Sequence, residues 1–147
     1  EKIMGSNAPV ASAHASTLVT TPTGDVLCAW FGGTKESADD VAILFSSRES
    51  EGSWAEARVI AKISDEAHWN PVLFWYPEPT AEDPNGLLWL HFKVGHHIPS
   101  WRTYVSTSAD HGATWLKPKE LVPGDKGGRG CVKNKPLVLS SGELIAG

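Results

Sequence analysis

Three carboxylates fall within five residues, at Glu36, Asp39 and Asp40. Carboxylates held this close repel one another, which lifts the pKa of one and suits it to donate a proton near neutral pH. One of the three is the expected acid/base group. The competing reading is a solvated acidic loop in which Asp39 and Asp40 merely open the next strand. Hard oxygen ligands also suit calcium, but proton transfer is the stronger reading and no metal site or cofactor is expected. His14 is a second candidate, because imidazole titrates near neutrality and serves as acid or base. Its alternative is a satisfied histidine at a strand end. A set of cations and amides, Lys93, Arg129, Lys133, Lys135, Asn70 and Asn134, lies near predicted inner strands or the loops joining them. Together they would hold an anionic ligand by charge-assisted hydrogen bonds. Trp69 and Trp101 fall in predicted loops, where their rings would stack on a ligand. His96 and His97 are adjacent, so on an extended chain they point apart and do not converge on a metal.

The composition bounds what these groups can act on. The chain has 147 residues and a formal charge of −4, with no block of Lys and Arg. Nucleic acid and anionic membranes are therefore poor partners. No apolar run approaches the roughly 20 residues of a membrane helix. The start, Glu1 to Gly5, is neither basic nor followed by an apolar core, so no secretory leader is read there and the compartment stays open. Cys28 and Cys131 do not make a disulfide framework, and Cys28, in an apolar run, reads as a buried thiol. Seven tryptophans, ten prolines and fourteen glycines, with no helical heptads, favour a β protein.

The elements that would position the candidates are strands joined by glycine turns. Residues 108–115 read Ser-Ala-Asp-His-Gly-Ala-Thr-Trp. Asp110 is placed to fold its carboxylate onto backbone N–H groups. Gly112 permits positive φ, Ser108 and Thr114 supply hydroxyls, and Trp115 buries a ring beneath the turn. A worn copy runs from Ser47 to Trp54, with Glu49 in place of the aspartate. Three segments overlay as strand, glycine turn, strand: 16–27, 70–90 with an insertion, and 134–145. Their turn glycines, Gly24, Gly86 and Gly142, are spaced by 62 and 56 residues. A period near ~50 residues indicates repeated blades. The runs 26–31 and 41–45 are continuously apolar, as strands covered on both faces are.

The reading is an all-β chain of antiparallel four-stranded units. The first occupies 1–65 with the worn turn, the second 66–125 with the intact one, and 126–147 begins a third. A ring of blades needs roughly 4–8 of them. About two and a half are present, so further blades are expected to complete it, and the isolated piece is expected to be inactive.

The octapeptide resembles the Asp-box, the hairpin signature of sialidase-type β-propellers. Longer strings extend the likeness: His14 to Val19, Ala29 to Glu36, Asp39 to Ile43, Trp69 to Phe74, Phe92 to Gly95 and Lys133 to Pro136. Over these residues the chain resembles the BNR-repeat sialidase-like family. That resemblance implies a six-bladed propeller and action on carbohydrate, with an acidic sugar as the expected partner. It places the acid/base group in the loop 32–40, with Glu36 nearest by position. It also aligns His14 with the first of the three arginines that hold the substrate carboxylate in sialidases, so this chain departs from the pattern there. The nucleophile and the other arginines would lie in other blades. A glycoside hydrolase is the first expectation. A lyase on uronate glycans, using His14 as base, and a glycan-binding propeller without catalysis are its rivals.

Overall fold

The computed structural model describes residue 3 and residues 9–76 and 86–146. Among these the chain is all-β and forms antiparallel sheets of the sialidase-type propeller. The first sheet has strand order β1 (Ser12–Thr20), β2 (Val26–Gly33), β3 (Ala42–Arg48), β4 (Arg58–Ala61). The second repeats it with β5 (His68–Tyr76), β6 (Leu87–Val94), β7 (Arg102–Ser108), β8 (Lys119–Glu120). A third begins as the pair β9 (Leu137–Val138) and β10 (Leu144–Ile145). The fourth strands are shorter or later than the sequence suggests. The turn before β6 places Gly86 at φ 88°, while its predicted partner Asn85 lies outside the described residues.

Burial explains why the apolar runs do not alternate. Side chains alternate between the faces of a strand. From the first sheet, Leu27, Ala29, Phe31, Ile43 and Phe45 meet Leu73, Leu88, Leu90, Phe92 and Val94 of the second. The intervening Cys28, Trp30 and Leu44 fill a separate cluster on the opposite face. Val72 and Phe74 go with Cys131 on the far side of the second sheet. Full burial of each such large apolar side chain contributes roughly 1.5–3 kcal/mol. Hydrogen bonds tie each unit to its neighbour. Trp75 Nε1 donates to the Thr20 carbonyl at 2.7 Å, the Leu73 N–H to Thr17 Oγ1 at 3.2 Å, and Tyr76 OH to the Gly142 carbonyl at 2.8 Å.

The octapeptide folds as its residues require. Asp110 Oδ1 accepts the Thr114 N–H at 2.8 Å and Oδ2 the Thr114 hydroxyl at 2.6 Å. Ser108 Oγ donates to Asp110 at 2.7 Å and accepts the Gly112 N–H at 2.8 Å. These bonds outweigh partial burial and hold the Asp110 carboxyl below its usual range. Trp115 lies edge-on to Phe45 at 5.8 Å between centroids, although its Nε1 finds no hydrogen-bond partner. The worn copy still closes, by a bridge between Arg48 and Trp54.

One register differs from the sequence overlay. Both inner strands carry a bulge, between His14 and Thr17 and between Trp69 and Val72. The pairs His14↔Phe31 and Trp69↔Lys93 flank those bulges alike, so Asn70 corresponds to Ala15 and not to Ser16. In the third unit, the turn bonds from Leu139 N to Glu143 O and from Gly142 N to Leu139 O repeat those at Thr21 and Gly24. Counting back from them reaches Lys133, but Lys133 lies before β9 and lacks the positive φ of the other two. Ala15 has φ 52° and Asn70 φ 45°. Asparagine tolerates this left-handed backbone, whereas alanine is strained there. Ala15→Gly should therefore raise the unfolding free energy by roughly 0.5–1 kcal/mol, read by urea titration; an unchanged midpoint would show the strain to be absent.

Candidate functional site

The loop 34–41 joins β2 to β3, and 95–101 joins β6 to β7. These are equivalent loops of neighbouring sheets, and they wall a concavity of about 490 Å³. Glu36, Trp69, Asn70, His96, His97 and Trp101 line it, with Ser37, Ile98 and Pro99 at the same surface. Sequence reasoning named four of these, Glu36, Trp69, Asn70 and Trp101, and the fold brings them together. It missed His96 and His97, which were weighed only as a metal pair. The available signal was positional, because their loop repeats the acidic loop one unit later.

The three carboxylates separate by role. Asp40 is a turn anchor: the Thr34 N–H donates to Oδ2 at 2.9 Å and the Thr34 hydroxyl to Oδ1 at 3.1 Å. Asp39 faces His96 across the two loops, with Nδ1 3.6 Å from Oδ1. Its backbone carbonyl accepts the Lys62 ammonium, which also donates to the Glu66 carbonyl at 2.9 Å. Glu36 is exposed, lines the concavity and has no hydrogen-bond partner among the described residues. Ser37, beside it, has φ 70°.

Trp69 corrects a sequence expectation. It lies in strand β5 rather than a loop, and it is buried, because its ring is needed to close the core between the sheets. Its Nε1 donates to the Gly95 carbonyl at 2.7 Å. Trp101 follows the 3-10 turn Ile98–Ser100 and is also buried, at 9% exposed. The two indoles lie 5.6 Å apart, and Phe31 meets Trp69 edge-on at 5.5 Å. Trp69 and Trp101 form part of the floor of the concavity.

The other candidates lie elsewhere. His14 is exposed, stacks on Phe31 at 5.5 Å and lies 2.8 Å from Ser12 Oγ through Nε2. It lines a different concavity, of about 220 Å³, with Trp30 and Cys28. Lys93 is fully buried. Arg129 pairs with Asp125 at 2.8 Å, a bond that holds the Asp125 carboxyl below its usual range. Lys135 donates to the Leu18 carbonyl. Asn134 is exposed. Lys133 lines a concavity of about 390 Å³ with Ala15, Ser16 and Pro71, where the inner segments of three units meet. Of the four cations, Lys133 alone is both exposed and without a hydrogen-bonded or charged partner among the described residues.

Equivalent loops thus converge at one end of bulged inner strands, as successive blades of a propeller would bring them. Residues 24–147 match the BNR repeat-like domain, and the chain belongs to that family. No curated protein matches the sequence. Among solved structures, the chain is similar to the Hadza microbial sialidase Hz136, with 15% identity, a TM-score of 0.71, and coverage of 92% of this chain and 32% of that one. It is also similar to a protein of unknown function from Dyadobacter fermentans, with 11% identity, a TM-score of 0.63, and coverage of 90% and 45%. A third likeness is to the GH93 α-L-arabinofuranosidase of Fusarium graminearum in complex with arabinobiose, with 17% identity, a TM-score of 0.53, and coverage of 76% and 33%. The chain thus spans less than half the length of each of these structures.

Proposed function

We propose that the chain supplies part of the substrate site of a carbohydrate-active enzyme, a glycoside hydrolase that cleaves next to an acidic sugar. The observation that carries this is Glu36. It is an exposed carboxylate without a partner among the described residues, set beside two indoles and an amide in one concavity. A carboxylic acid so placed can protonate a glycosidic oxygen. Asn70 offers both a donor and an acceptor to sugar hydroxyls. Lys133, where the inner segments meet, supplies the charge that a sugar carboxylate needs. Further blades would add the nucleophile. The sialidase and arabinofuranosidase likenesses support a glycan as substrate.

The test uses 4-nitrophenyl glycosides of sialic acid, glucuronic acid and arabinose with the intact protein. Glu36→Gln should lower kcat by about 100-fold or more, with KM little changed. Lys133→Ala should weaken the acidic substrates and leave the arabinoside untouched. Release of unsaturated, ultraviolet-absorbing products from a uronate polymer would mean a lyase instead. Binding without turnover, unaffected by Glu36→Gln, would leave a lectin.

A further inference from the structure

Lys93 is a lysine with no exposed surface, and its position explains why the fold keeps it. Its ammonium donates to Thr103 Oγ1 at 2.8 Å and to the Arg129 backbone carbonyl at 2.8 Å. The Thr103 hydroxyl donates to that same carbonyl. Burial pushes the ammonium down to about 8, so it remains largely charged at neutral pH. The Arg129 guanidinium is turned the other way, toward Asp125. Two donors thus converge on one part-buried carbonyl in the segment 124–130, which forms no strand. One residue before that carbonyl, the Gly128 N–H donates to the Trp101 carbonyl at 3.1 Å. Gly128 also packs on the Trp101 ring; a Cβ added there would sit 3.4 Å from Cε3 and 3.9 Å from Lys93 Cε. Trp101 in turn lines the concavity with Glu36.

We infer that Lys93 is a positioning residue for the candidate site: it anchors the segment 124–130 against the back of Trp101 and so fixes one wall of the concavity. The inference rests on reading that concavity as the substrate site, but the anchoring itself does not. A charged donor holds the Arg129 carbonyl more strongly than a neutral one would, in a segment rich in glycine. The segment has no ladder hydrogen bonds to replace the anchor.

Amide hydrogen exchange on the intact protein tests the anchoring. In Lys93→Met the protection of the Gly128 amide should fall by about tenfold or more, while amides of β2 and β3 keep theirs. Thr103→Val removes one donor to the carbonyl and one acceptor of the ammonium while keeping Lys93 itself, so it should act in the same direction by about threefold. This second variant decides the matter if the first fails to fold. Gly128 protection within about twofold of wild type in the folded variants would overturn the inference. Kinetics on the 4-nitrophenyl glycoside that the wild-type protein cleaves tests the link to the site. KM should rise about tenfold with kcat changed by less than about threefold. An unchanged KM in a variant whose Gly128 is loosened would overturn the positioning role. If no glycoside is cleaved by the wild type, the functional reading fails while the exchange result still decides the anchor.

Discussion

Replacing Gly112 with alanine is expected to destabilise the protein by roughly 2–4 kcal/mol, one of the larger effects available to a single methyl group. Two causes add. The residue has φ +86°, which an L side chain rarely adopts. A Cβ there would also overlap the Phe45 ring of the preceding sheet, whose two Cε atoms would lie 3.0 and 3.1 Å away. That ring is held from its other surroundings by Trp115 and by the Arg58 guanidinium, 5.3 Å from its centroid. Arg58 also donates to the Gly112 carbonyl and, at 3.0 Å, to that of Ala113. The Asp-box is therefore both a turn and a docking surface. Gly124→Ala separates the two causes, since Gly124 has φ +76° with nothing within 4 Å. It should lose only about 1 kcal/mol. Equal losses for the two variants in urea denaturation would show that the ring contact contributes nothing.

Acid should unfold the protein well before its carboxylates are neutralised. His68 is fully buried and His91 nearly so, and burial pushes each pKa from 6.5 down to about 4. The His68 Nε2 accepts the Ile63 N–H at 3.0 Å, so Nδ1 carries the proton toward the Glu66 carbonyl at 2.8 Å. Protonation would break the first of these bonds. The rings of His91 and Phe74 meet edge-on at 5.2 Å, and neither nitrogen of His91 has a hydrogen-bond partner. Between pH 6.5 and 4 the unfolded chain binds more protons than the folded one, so stability falls as the pH falls. The contribution is fully present above about pH 6.5 and is lost toward about pH 4. Each ring accounts for on the order of 3 kcal/mol. His91→Leu should remove about half of that slope. A wild-type unfolding free energy that stays flat across this window would contradict the burial of both rings.

The architecture was legible because its signals are local. Ser108, Asp110, Gly112 and Thr114 satisfy one another within eight residues, and the glycines of three turns repeat at a nearly fixed spacing. The position of Glu36 in a loop was legible for a similar reason, since that loop follows a strand whose end the sequence marks. What was not legible depends on positions around the axis. Asn70 was overlaid on the wrong partner because register is set by the pairs His14↔Phe31 and Trp69↔Lys93, which the apolar pattern does not mark. Lys93 looked like a site cation because its partners, Thr103 and the Arg129 carbonyl, lie 10 and 36 residues away. Trp69 looked like a loop residue because the strand continues through the irregularity beside it. His96 and His97 enter the concavity only once two neighbouring sheets are set side by side.

Ala15 and Asn70 occupy one left-handed station in two successive sheets, so a methyl and an amide are presented from the same place on a shared frame. The frame asks little of those side chains beyond backbone tolerance. A substitution at such a position changes what the surface displays while leaving intact the turn bonds that hold the sheets in register.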